Sequence, residues 1–148
     1  MNFYLIKLMS LKKIAASILS IIIINLVLIG LSVWYLVSEG FNVELNTIGI
    51  KIIFLAIGLH ICLFILAIVF TTKASAAKSL VMGISDGKSM YIYTQISSLH
   101  SNSLTATLLW IFLPLIGIIY WFIFSMIAIS KISRLIAFES SAYYMMNN

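Results

Sequence analysis

The chain has 148 residues, 63% of them hydrophobic and only 9% charged, with a formal net charge of +5. A soluble domain carries about a quarter of its residues as charges, so a water-facing globular surface is excluded. The positive balance does not indicate nucleic acid. The cations stand singly or as the pair Lys12 and Lys13 beside apolar runs, and no base- or phosphate-recognition motif accompanies them.

The apolar residues cluster in runs that predict an all-α fold: a polytopic membrane protein with three transmembrane helices in a single membrane domain. The first span covers 14–38 and contains no charge. At about 1.5 Å per residue it is long enough for a hydrocarbon core of about 30 Å. Residues 1–13 resemble the basic start of a signal peptide. The apolar run is too long for one and lacks a small-x-small cleavage site, so a retained helix is expected. Asn25 and Ser32 share a stripe of this helix, and Trp34 and Tyr35 mark its headgroup end.

A short loop with Glu39 and Glu44 leads to the second span, 50–71. Here Gly49, Ala56, His60, Ala67 and Thr71 fall within about 40° of one line at about 100° per residue. Small and polar side chains on one face favour close packing in lipid. The face matches that of Asn25 and Ser32, which predicts a tight hairpin with a hydrogen bond between Asn25 and His60 at mid-depth. Lys51 is expected to snorkel to the outer interface. The lone cysteine, Cys62, excludes an intramolecular disulfide and reads as a packed thiol.

Residues 72–105 read as a cytoplasmic or interfacial helical connection. Its start continues the second helix, and Ser85-Asp86-Gly87-Lys88 reads as a turn. Ile92, Ile96 and Leu99 then recur at helical spacing, as in an interfacial helix anchored by Tyr91 and Tyr93. Lys73, Lys78 and Lys88 are assigned to lipid headgroups or a partner. The alternative is a fourth crossing in this region, which would return the C-terminus to the first side.

The third span covers 106–129. Pro114 should bend it, and Gly117 should let a neighbour approach. Trp110, Trp121, Phe124 and Ala128 lie along one side and read as a docking face for another membrane protein. Residues 131–143 follow as a short amphipathic helix. With three spans, Lys7, Lys12, Lys13, Lys73, Lys78 and Lys88 share one side, against Lys51, Lys131 and Arg134 on the other. That bias places the N-terminus in the cytoplasm and the C-terminus outside.

Nothing in the sequence assembles reactive chemistry. Ser79, Ser85 and Ser89 lack an acid–base arrangement, Asp86 lacks a second carboxylate, and Gly83 and Gly87 do not complete a phosphate loop. His60 has no accompanying ligand pattern for a metal or haem. The expected protein is not an enzyme and uses no cofactor, metal or small-molecule substrate. The leading reading is a small accessory subunit of a transport, secretion or energy-transducing complex. Its partners would be other integral membrane proteins and the bilayer. Alternatives are a protective protein acting in toxin immunity or exclusion of mobile DNA, and a holin or pore-forming homo-oligomer. Asn-, Ile- and Lys-rich usage points to an AT-rich genome and a bacterial inner membrane.

Overall fold

Long stretches free of proline and charge leave the backbone no partner in lipid but itself, and this favours helices over any open strand. The computed structural model describes residues 3–38, 40, 48–82 and 87–146. They form α1 (Phe3–Ser38), α2 (Ile48–Val81), α3 (Gly87–Phe112) and α4 (Pro114–Met146). Three of these helices are long and apolar enough to cross a membrane, over Tyr4–Ser38, Ile48–Val81 and Pro114–Ser141. The chain is an integral membrane protein of all-α fold.

Sequence spacing explains how the helices meet. Buried residues recur every three or four positions: Leu8, Leu11, Ala15, Ile18 and Ile22 on α1, and Leu63, Ala67, Phe70, Ala74, Ala77 and Val81 on α2. The same step places Ile92, Ile96, Leu99, Ser103, Ala106 and Trp110 inside on α3. A 3.5-residue repeat keeps one seam facing its neighbours along long antiparallel helices. Each helix packs on two others, α1 on α2 and α4, and α3 on α2 and α4, so the bundle is four-cornered. Phe70, Trp121 and Phe124 fill its centre edge to face, with ring centroids 5.2–5.9 Å apart.

Polar side chains are mostly quieted within their own helices. Ser32, Thr71, Thr107 and Ser133 donate to carbonyls three or four residues back at 2.7–3.0 Å. α1 closes at Gly40, whose φ of 65° lets its N–H reach the carbonyl of Val37 at 3.2 Å.

The third expected span does not exist as one helix. Residues 106–129 are divided at Leu113, and α3 and α4 fold back on each other as a second hairpin. Lys131 donates to Ser98, and Tyr91 packs on Phe138, an antiparallel register that runs the length of the pair. Pro114 supplies the break because it has no N–H and cannot continue α3. Gly117 supplies the room: a Cβ there would lie 2.3 Å from Trp110 Cα and 2.5 Å from Trp110 N. The expected interfacial connection is correspondingly replaced. Ile92, Ile96 and Leu99 lie in the core, and 131–143 continue α4 without interruption.

The second hairpin also rearranges the charges. Contacts of Ser10 with Lys73, Lys78 with Tyr93, and Ser98 with Lys131 bring the start of α1, the end of α2, the start of α3 and the end of α4 together. Among the described residues, every Lys and Arg except Lys51 lies toward this end of the bundle, Lys88 being placed by its backbone alone. Lys131 and Arg134 thus lie toward the same end of the bundle as the N-terminal lysines.

Candidate functional site

The core stripe of α1 continues past Ile22 with Asn25, Ile29 and Ser32, and that of α2 runs back from Leu63 through His60, Ala56 and Ile53. Lower in the bundle these stripes meet α3 and α4. Beyond Trp110 the second hairpin turns, while α1 and α2 run on for roughly 15 Å at the rise of an α-helix. A cleft of about 290 Å³ results, lined by Asn25, Ile29 and Ser32 on one helix and Ile53, Ala56, Ile57 and His60 on the other. Ile29 is 44% exposed although it occupies a core position of its stripe, and Ile57 is 51% exposed.

His60 sits at the base of this cleft. Its Nε2 accepts a hydrogen bond from Trp110 Nε1 at 2.8 Å, and the two rings meet edge to face with centroids 5.0 Å apart. In a neutral imidazole whose Nε2 accepts, the proton resides on Nδ1. The expected bond between His60 and Asn25 is therefore replaced by one to α3. The cause is reach: Trp110, three residues before the turn, carries an indole N–H that needs a partner in apolar surroundings.

Asn25 is left differently placed. Its side chain is 4% exposed, and its Oδ1 has no hydrogen-bond partner. Trp121 Nε1 and Ser125 Oγ, deeper in the bundle, are also unpartnered, but they lie away from the cleft. A buried acceptor without a donor costs about 1–3 kcal/mol, so each such atom needs a reason.

The other expected packing residues fall along the same seam. Ser32, Gly49, Ala56 and Ala67 are buried. A Cβ on Gly49 would meet Tyr35 and Leu36 side chains at 3.4–3.5 Å, which is ordinary contact. Thr71 faces Thr107 of α3 at 3.5 Å. The expected docking face is not a surface. Trp110 on α3 and Trp121, Phe124 and Ala128 on α4 are at most 3% exposed, because the two helices of the second hairpin turn these residues inward. Of the basic residues, Lys73 is exposed and donates to Ser10 Oγ at 2.9 Å, and Lys78 lies 5.7 Å from the centre of the Tyr93 ring. The side chain of Lys88 lies outside the described residues. Cys62 is exposed on the perimeter of α2, not packed as expected.

Among the described residues, no three His, Cys, Asp or Glu side chains gather as a metal site. The fold and the cleft define a polytopic helical membrane protein with a largely apolar cleft between α1 and α2 that carries Asn25, Ser32 and His60. Comparison of the chain with family models, curated proteins and solved structures gave no match in any of the three.

Proposed function

We propose that this protein is a non-catalytic accessory subunit of a larger assembly in a bacterial inner membrane, and that it docks through the cleft between α1 and α2. The single observation behind this reading is the buried, unpartnered Oδ1 of Asn25 on a stripe whose neighbour Ile29 is open. A side chain from a partner's transmembrane helix that donates a hydrogen bond would satisfy Asn25, and its backbone would approach over Ala56 and Ser32. Such bonds between membrane helices contribute about 0.6–2 kcal/mol each, enough to orient a contact that packing sustains. A pore-forming homo-oligomer fits less well, since the outward faces of α1 and α2 present Ile24, Val27, Leu55, Ile61 and Ile65 instead of a polar lining.

The basic end would face the cytoplasm, with both the start of α1 and the end of α4 on that side. In this reading α1 and α2 cross the bilayer fully, and the second hairpin enters from the cytoplasmic face and turns within the hydrocarbon. Its tip has the chemistry for that position. Ile111, Phe112, Leu113, Leu115 and Ile116 are all exposed, Phe112 by 76% and Leu115 by 79%. Part of the turn's backbone is paired internally. Leu113 N–H donates to Leu109 at 2.7 Å, Gly117 N–H donates to Leu113 at 2.9 Å, and Pro114 has no N–H.

A photo-crosslinking side chain at Ile29 or Ile57, activated in intact membranes, tests the docking reading. The expected product is a discrete adduct with a second membrane protein, lost on Asn25→Leu while the subunit itself stays folded. Adducts with lipid alone, or with another copy of this chain alone, would remove the basis for an accessory subunit.

A further inference from the structure

We infer that the groove between the first turns of α1 and the last turns of α2 binds the phosphate of an anionic membrane lipid. The groove has a volume of about 250 Å³ and is lined by Ile6, Lys7 and Ser10 from α1 and by Lys73 and Ala76 from α2. Lys7 and Ser10 are three residues apart and share a helix face. Lys73 reaches across to that face, where its Nζ lies 2.9 Å from Ser10 Oγ. Two lysines and a serine from two helices thus line one small concavity.

This donor set suits a phosphodiester. Lysine binds phosphate as a compact point charge, and a hydroxyl supplies a further donor to a phosphate oxygen. The apolar part of the lining suits a lipid. Ile6 is 46% exposed beside the cations, and α1 continues from there into the charge-free run that begins at Ile14. A headgroup held by Lys7 and Lys73 can therefore lay its acyl chains along the outside of the first hairpin. The location agrees with the chemistry, because the groove lies at the end of the bundle that gathers the basic residues. The inference is independent of any partner in the Asn25 cleft.

Native mass spectrometry of the full-length protein released from detergent provides the test, with dioleoylphosphatidylglycerol, dioleoylphosphatidylcholine and inorganic phosphate as probes. The phosphatidylglycerol adduct should be preferred over phosphatidylcholine. It should weaken about five-fold for each of Lys7→Gln and Lys73→Gln, recover with Lys7→Arg, and be unaffected by Lys51→Gln at the opposite end. Unchanged thermal unfolding of the Gln variants separates lost binding from lost fold. Equal retention of the two lipids, or phosphatidylglycerol binding indifferent to both substitutions, overturns the site. Displacement of the lipid by millimolar inorganic phosphate overturns the lipid as ligand and makes the groove one for a soluble anion.

Discussion

Gly117 rests against the backbone of Trp110, so close that a Cβ on the glycine would lie 2.3 Å from the Trp110 Cα. The opposing atoms are main chain, not the end of a flexible side chain, so they cannot swing aside. Gly117→Ala should push the α3–α4 hairpin open and lower stability by about 1–3 kcal/mol, the usual range for overpacking. Gly58 offers the control, since nothing lies within 4 Å of its added Cβ. Thermal unfolding in mild detergent measures both, and a Gly117→Ala protein as stable as the Gly58→Ala one would contradict the close turn.

The hydrogen bond from Trp110 to His60 ties the second hairpin to the first. A double-mutant cycle of Trp110→Phe with His60→Ala should return a coupling of about 0.5–2 kcal/mol. The cycle of Asn25→Ala with His60→Ala should return a coupling near zero. Finding the larger coupling in the second cycle would restore a polar bridge within the first hairpin and displace the one to α3.

Trp121 is fully buried between Phe70 and Phe124. Trp121→Ala should therefore cost about 3–5 kcal/mol, as removal of a large core ring does. The protein itself, without any partner, should show the loss. If instead the variant unfolds like the native chain and only fails to co-purify with another protein, Trp121 belongs to an outward face.

The return of α4 predicts sidedness. In a Cys62→Ala background, Lys12→Cys and Arg134→Cys should react with an impermeant thiol reagent from the same face of a sealed vesicle, and Lys51→Cys from the other. Labelling of positions 12 and 134 from opposite faces would mean that the chain crosses the bilayer an odd number of times.

Amino-acid order alone determined the membrane class and the seams. Uninterrupted apolar runs have to leave water, and three-four spacing identifies which side of α1 and α2 turns inward, including Asn25, Ser32, Ala56 and His60. Gly117 was legible as a point of close approach, because a missing side chain is a local property. The reversal at Leu113 was not legible. A proline within an apolar run is compatible with a bend as well as with a full turn, and the outcome depends on whether α3 gains more by packing on α2 and α4 than by lying at the interface. Only the tertiary structure decided that balance. By folding α4 back, it buried Trp110, Trp121, Phe124 and Ala128, gave His60 a partner on α3, and brought Lys131 and Arg134 to the end that holds the N-terminal lysines. Side-chain periodicity is written into a helix one residue at a time, whereas the partner of each face is chosen by the summed packing of all four.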